Sequence, residues 1–269
     1  MNRNYMTLDR TERLAAVLDL LAESGQIEVD DIIRSLGVSA ATARRDLDTL
    51  AAQQLLTRTR GGAIGQSVAY DLPLRYKREQ NAPQKLLIAR AASALVARGA
   101  VVGLCGGTTS TAIAGVLGAR ADIMEASPHA TLTVVTNALN IAAQLAMRPQ
   151  IKTVVTGGVV HSRSYELVGP YSDAVLQQVR MDIAFIGVNG IDPQAGPTVN
   201  DEREAAVNSL MAARASRAMI VADSSKIGRI AFAGLGELHR FDGLITDDGI
   251  TPKQQADFAD QGLEVIVAS

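Results

Sequence analysis

Between residues 38 and 63 the sequence runs VSAATARRDLDTLAAQQLLTRTRGGA, and few folds accommodate such a stretch. Ser39 stands where a helix N-cap belongs, because its hydroxyl can accept a free N–H of the first turn. Ala43, Leu47 and Leu50 then recur at helical spacing and define one apolar face. Thr42, Arg45 and Thr49 fall on the opposite face. Arg44 lies at the border, four residues before Asp48 and so able to pair with it or to touch a phosphate. Residues 55–60 alternate as a strand does, and Gly61-Gly62 allows a tight turn. A helix anchored on one side and carrying arginines on the other, followed by a basic ribbon, suits the major groove of double-stranded DNA. The candidate contacts are Ser39, Thr42, Arg44 and Arg45 on the helix and Arg58 and Arg60 on the ribbon.

The preceding residues supply the rest of a small domain. Residues 7–23 form a helix with Leu14, Val17, Leu18 and Leu21 on one face, stopped by Ser24-Gly25. Residues 26–28 form a short strand that can pair with the ribbon. A second helix spans 29–36, with Ile32, Ile33 and Leu36 apolar, and Gly37 ends it. Three short helices and a ribbon make a winged helix-turn-helix over residues 1–63. The whole chain has a net charge of −2, which by itself does not announce a nucleic-acid partner. Its distribution does more. Residues 1–37 carry four Arg against seven acidic residues, whereas residues 38–63 carry four Arg against two Asp. Positive charge therefore gathers on the helix and ribbon. The local excess is small, so affinity is expected to come from several copies held in one oligomer.

Residues 64–84 mix Gly, Pro and charge without a sustained period and read as a linker. Within it Tyr70, Leu72, Leu74 and Tyr76 alternate, which would let it dock. From residue 85 the pattern changes. Helices are expected at 85–98, 109–117, 140–145, 172–179, 202–217 and near 252–260. Short apolar strands are expected at 101–105, 131–135, 152–156, 183–187, 218–222, 243–246 and 264–267. Such alternation gives α/β layers around a mostly parallel sheet over residues 85–269.

Ligands of open α/β sheets gather at the carboxyl ends of the strands. Several polar loops of this chain occupy that position. The first is Gly106-Gly107-Thr108-Thr109-Ser110-Thr111, which follows a strand and opens a helix. Glycines let backbone N–H groups approach a phosphate, hydroxyls add donors, and the helix dipole favours an anion. The plainer alternative is that the threonines only cap the helix. The loop is neither a Walker loop nor a dinucleotide fingerprint, since both spacings are missing. Thr136-Asn137, Thr156-Gly157-Gly158, Gly187-Val188-Asn189-Gly190 and Asp223-Ser224-Ser225-Lys226 recur in the same position after other strands. Lys226 can meet a phosphate or sugar oxygen.

Two sets of residues carry a family resemblance. VSAATARRDLDTL followed by RTRGGA is similar to the signature VS-x-x-T-x-RRDL, ending in R-x-x-GGA, of DeoR-type bacterial transcriptional regulators. The one departure there is Ala43, where a β-branched residue is common. Gly106-Gly107-Thr108-Thr109, TVVTNALNIA (133–142), TGGV (156–159), VGPYSDAVL (168–176), DIAFIGVNGID (182–192), DSSKIG (223–228) and ITD (245–247) resemble the effector domain of the same family. The resemblance implies a fold shared with ribose-5-phosphate isomerase and a phosphorylated sugar as effector. Carried over residue by residue, it places the phosphate at Gly106, Gly107, Thr108, Thr109 and Ser110, and the sugar near Asn137, Asn189, Glu204 and Lys226. Cys105 departs from the pattern, because many relatives have Asp nearby. It reads most simply as a small core residue.

Several classes are set aside. With 47% apolar residues the chain can fill a sizeable core, which argues against global disorder. No apolar run approaches the roughly 20 residues of a membrane helix, so no membrane partner is expected. The first residues lack the apolar segment of a secretory signal, and a single cysteine cannot form an internal disulfide, so the cytoplasm is expected. His129, His161 and His239 are scattered without metal or triad spacing and read as surface or satisfied histidines. No metal and no cofactor is expected. The leading expectation is a DNA-binding regulator, a repressor of a sugar-metabolism operon, acting as a dimer or higher homo-oligomer on operator DNA. The rival is a sugar-phosphate isomerase-like enzyme with an accessory domain, its base drawn from Asp201, Glu202 or Glu204.

Overall fold

Asp9 and Glu12 bind each other's backbone at the start of the first helix, α1 (Arg10–Ser24). The Glu12 N–H donates to Asp9 Oδ1 at 2.9 Å and the Asp9 N–H donates to Glu12 Oε2 at 2.7 Å. This reciprocal cap explains why α1 starts three residues later than its apolar spacing predicts. The computed structural model describes residues 8–53, 55–64 and 80–269, and the chain divides between Gln80 and Asn81 into two units. The alternating Tyr70, Leu72, Leu74 and Tyr76 lie outside the described residues.

The first unit continues with β1 (Gln26–Glu28), α2 (Val29–Leu36), α3 (Ala40–Ala52), β2 (Thr57–Arg58) and β3 (Gly62–Ile64). Its three strands pair antiparallel in the order β1-β3-β2, so the short strand expected at 26–28 does join the ribbon. Leu14, Val17, Leu18, Leu21, Ile32, Ala43, Leu47 and Leu50 close a single core. The ribbon is shorter than its alternation predicts. Leu55 and Leu56 turn into this core instead of pairing, because burying two leucines outweighs two more ladder bonds. Gly62 serves more than a turn. A Cβ there would lie 1.9 Å from the Ile27 carbonyl oxygen, so only glycine lets β3 approach β1.

The second unit carries α4 (Ala82–Ala94), β4 (Val101–Leu104), α5 (Thr108–Leu117), α6 (Ala121–Met124), β5 (Leu132–Thr136), α7 (Leu139–Leu145), β6 (Ile151–Val155), β7 (Val159–Val160), β8 (Leu167–Val168), α8 (Pro170–Leu176), β9 (Met181–Gly187), β10 (Gly190–Asp192), β11 (Gly196–Val199), α9 (Glu202–Ala213), β12 (Ala215–Val221), β13 (Ala233–Gly234), β14 (Gly243–Asp247), α10 (Pro252–Ala259) and β15 (Glu264–Ala268). Seven strands form one sheet in the order β15-β14-β12-β9-β4-β5-β6, and every pairing in it is parallel. Side chains leave alternate faces of each strand. On β9, Ile183 and Phe185 join the core formed with α4, α5 and α7, while Ala184 and Ile186 join the core formed with α8, α9 and α10. The result is a three-layer α/β domain buried on both faces, as near-continuous apolar strands require.

The strand order reverses between β4 and β9. From β4 the chain moves outward through β5 to β6, then returns to β9 on the other side of β4. The loops after β4 and β9 therefore diverge and leave a crevice at the carboxyl edge. Two features there carry no sequence period because their strands are only two to four residues long. One is the hairpin β7-β8, whose inner residues cross the end of β5: the Leu139 N–H donates to Tyr165 O and the Leu167 N–H to Asn137 O. The other is the small sheet β10-β11-β13.

Candidate functional site

On the first unit, Ser39 caps α3 as its sequence predicts: the Thr42 N–H donates to Ser39 Oγ at 3.1 Å. The Thr42 and Ser39 hydroxyls also lie 2.9 Å apart. Ala43, Leu47 and Leu50 are fully buried, so the opposite side of α3 faces outward at a fixed angle. Arg44 and Arg45 are both exposed, and Arg45 Nε donates along its own helix, to Ala41 O at 3.2 Å.

The two aspartates beside these arginines have other partners, which corrects the pairing open to Arg44 in the sequence. Asp46 is buried and held in two bonds by Arg13 of α1, from Nε at 2.5 Å and from the second guanidinium nitrogen at 3.0 Å. Asp48 accepts from Arg58 Nε at 2.9 Å. Arg58 also donates to Gly62 O at 2.7 Å, so it ties the ribbon to α3. Thr49 accepts from Arg10 at 3.3 Å and belongs to the α1 contact as much as to the outer face. Arg60 is exposed in the turn between β2 and β3.

On the second unit, the loop after β4 starts α5 in an unusual way. Its N-cap is Gly107, at φ 104° and ψ 164°, a conformation open essentially to glycine, and no side chain caps the helix. Gly106 is glycine for a different reason. A Cβ there would lie within 2.3–2.6 Å of the Glu166 side chain. The hydroxyls divide their roles. Thr111 Oγ1 donates to Gly107 O at 2.7 Å and accepts from Asn140. Ser110 is buried against the thiol of Cys105, and Thr109 is buried too, leaving Thr108 half-buried at the mouth of the helix.

Cys105 is part of the core, as read from the sequence, and it also spans the reversal point. Its thiol donates to Gly106 O at 3.3 Å and its sulfur accepts the Gly187 N–H at 3.0 Å, joining the ends of β4 and β9. Burial, with Glu166 adding to it, pushes the thiol up to about 12, so it stays protonated and unreactive.

Asn137, at the end of β5, is fully buried and donates through Nδ2 to Glu166 Oε2 at 2.9 Å and to Asn208 Oδ1 at 3.2 Å. Asn208, on α9, donates to the same Glu166 oxygen at 3.2 Å. One turn earlier on α9, Glu204 is buried and bonded by the Ser164 hydroxyl and by His161 Nδ1 at 2.6 Å. The hydrogen bond to Glu204 holds the His161 imidazolium above its usual range, against the opposing effect of burial. Asp201 caps α9 and pairs with Arg203, whose hydrogen bond holds the carboxyl below its usual range.

The structure thus brings the 106–110 loop, Asn137 and Glu204 into one region. Asn189 follows β9, and its Oδ1 accepts the Asn200 N–H at 3.0 Å. Lys226 lies in a short 3-10 turn after β12, with β9 between that strand and β4. That turn is fixed by Asn81, which donates to Asp223 and Ser225, and by Asp247, which binds Ser224.

Three residues of this region were not singled out in the sequence: Glu166, Asn208 and Ser164. A signal existed for Asn208. It follows Glu204 by four residues on a face shared with Met211 and Ala212, and polar groups on an otherwise apolar helix face ask for partners. His161, read as a surface or satisfied histidine, is satisfied, but within the crevice. His129 is exposed, and His239 is exposed and paired with Glu237.

Comparison with known proteins gives the same two parts. The chain matches the DeoR-like helix-turn-helix domain over residues 13–67 and the DeoR C-terminal sensor domain over residues 80–248. It is 31% identical to the HTH-type transcriptional regulator GlpR of Haloferax volcanii, over 95% of this chain and 96% of that one. It is 28% identical to the glycerol-3-phosphate regulon repressor of Escherichia coli K12, over 89% and 92%. Ribose 5-phosphate isomerase A of Methanocaldococcus jannaschii aligns with 55% of this chain and 55% of its own at 21% identity and a TM-score of 0.41, too slight a likeness to bear on function. With a winged helix that exposes two arginines, a parallel α/β domain after it in the sequence, and both DeoR-type domains matched in that order, the protein belongs to the DeoR family of transcriptional regulators.

Proposed function

We propose that the protein is a repressor of a sugar-metabolism operon, released from or retained on its operator by a phosphorylated sugar bound in the second unit. The observation that carries the reading is the start of α5. Its first-turn N–H groups have no side-chain cap and stand at the reversal point of a parallel sheet. Free N–H groups and the helix dipole both favour an anion there. A regulon repressor for a phosphorylated compound among the relatives supports the same ligand chemistry. Gly106, Gly107, Thr108, Thr109 and Ser110 take the phosphate in this reading. Asn137, Asn189, Glu204 and Lys226 serve the sugar, and Lys226 adds positive charge. Operator DNA is bound by α3 through Thr42 and Arg45, with Ser39, Arg44 and the ribbon arginines near the backbone.

The rival enzyme reading needs a carboxylate base beside substrate carbons. Asp201 is engaged as a cap with Arg203, and Glu204 is engaged by His161 and Ser164. Neither arrangement favours a base over a binding group, and the winged helix has no place in an isomerase.

Thermal shift of the full chain against a set of phosphorylated sugars tests the reading, because a ligand that binds only the folded state raises apparent stability. At least one is expected to raise the melting temperature and to change operator affinity. Lys226→Ala is expected to weaken that ligand while apo operator binding persists. A set without any effect on either melting or operator binding would overturn the proposal.

A further inference from the structure

The small sheet β10-β11-β13 ends in an open edge. Among the described residues β13 has a neighbour on one side, β11, and none on the other. The Leu235 N–H donates to Pro197 O at 2.9 Å and the Ala231 N–H to Thr198 Oγ1 at 2.8 Å. Residues 231, 233 and 235 thus turn their backbone groups to β11, while Phe232 and Gly234 turn theirs to the open side. Side chains alternate as well. Leu235 is buried and Ala231 and Ala233 are half-buried, whereas Ile230 is 65% exposed and Phe232 74% exposed. Folded proteins ordinarily cover such an edge or blunt it with charge, because it is a template for another strand. The next two residues of even number are Gly234 and Gly236, which border a groove of about 620 Å³. A Cβ at Gly234 would meet open space.

We propose that β13 pairs antiparallel with β13 of a second copy of this chain, about a two-fold axis at Ala233. The segment is complementary to itself in that register. Phe232 faces Gly234 of the other copy and Ile230 faces its Gly236, so each large apolar side chain meets a residue without one. An aromatic ring over a cross-strand glycine covers the backbone there and fills the space beside it. The open-side groups of Phe232 and Gly234 complete a ladder with their counterparts, and one contact closes both edges at once. Charge selects the same register. Arg229 and Glu237 are both exposed and lie at equal distance along the chain from Ala233, so each arginine stands opposite the glutamate of the other copy. An axis at Phe232 would set Arg229 against Leu235, and one at Gly234 would set it against His239. Glu237 also meets His239 of its own chain at 3.0 Å, and a carboxylate has acceptor sites for both. A second copy fits this edge better than an unrelated strand, because the large residues, the glycines and both charges are supplied by one short segment.

The test is sedimentation equilibrium of the full-length protein without DNA or sugar, over a range of concentrations. It compares the wild type with Phe232→Ser, Arg229→Glu and the exchanged pair Arg229→Glu/Glu237→Arg. The side chains changed are exposed, so each variant is expected to fold. The wild type is expected to self-associate. Phe232→Ser and Arg229→Glu are each expected to raise the dissociation constant of the dimer at least about tenfold, because the two-fold axis makes every change act twice. The exchanged pair is expected to return it to within about threefold of the wild type, since it restores opposite charges across the axis. A wild type that stays monomeric throughout overturns the proposal. So does an unchanged dissociation constant in both Phe232→Ser and Arg229→Glu, which moves the contact elsewhere. An exchanged pair no tighter than Arg229→Glu alone overturns the register. None of these outcomes depends on the phosphate reading of the 106–110 loop, which the sugar-phosphate melting experiment tests separately.

Discussion

Arg45 and His161 show how differently two charged side chains can be employed. Arg45 is exposed on a helix whose other face is fully buried, and among the described residues its guanidinium donates to Ala41 O alone. A guanidinium in that position is available for a guanine edge. Arg45→Ala is expected to cost about 1–3 kcal/mol in operator binding and to relax specificity at one base pair, without lowering stability. Fluorescence anisotropy on the native and singly substituted operators checks both effects. His161 is turned inward. Its folded value is raised, so its charged form contributes stability below the ordinary histidine value of about 6.5, and that contribution is lost as pH rises through the folded value. NMR titration is expected to place its midpoint above about 6.5, and Glu204→Gln to lower it, because the chief cause is the hydrogen bond to Glu204.

Helices and loops depend on contacts that join them. Asp46 fastens α3 to α1 through the two bonds from Arg13. Removing one partner of a nearly buried pair strands the other, so Asp46→Ala is expected to destabilise the first unit by about 2–3 kcal/mol, less than for a fully buried pair because Arg13 keeps some solvent. Urea unfolding followed by operator binding separates this loss of stability from a lost DNA contact. In the second unit, Gly106 and Glu166 occupy adjoining space. Gly106→Ala is expected to displace the Glu166 side chain and destabilise the domain, and Glu166→Ala to relieve part of that penalty. A double-mutant cycle should return a coupling of about 1–3 kcal/mol, and strict additivity would mean that the two groups do not touch.

For the whole molecule the question is how two units act as one. Operator half-sites are usually paired and are matched by a symmetric protein, and a domain as small as residues 1–63 has little surface to spare. At least a dimer is expected, joined mainly through residues 85–269. Light scattering with and without operator checks this, and a monomer at micromolar concentration in both conditions counts against it. Effector and operator can influence each other only if two conformations bind them with different affinity. Linkage then requires the same factor in both directions, typically about 5–150-fold. Calorimetry of the sugar phosphate with operator present and absent is expected to return the factor seen in the reverse experiment.

What the sequence determined by itself is whatever depends on neighbours along the chain. Ser39 and Thr42 are three residues apart, so the cap of α3 is a local matter. Leu47 and Leu50 share a helix face by spacing alone, and the apolar strands from β4 to β15 are short runs between turn formers. Motifs of the same local kind carried the family. Tertiary structure decided the rest, because the partners are far apart in sequence. Asp46 sits two residues before Asp48, yet one faces Arg13 and the other Arg58. Gly106 must be glycine because Glu166, sixty positions later, lies across it. Asn137, Glu166 and Asn208 meet only because the strand order reverses between β4 and β9 and the β7-β8 hairpin crosses the end of β5. Hydrophobic periodicity reports which face of an element is buried, but not which polar group is buried against it.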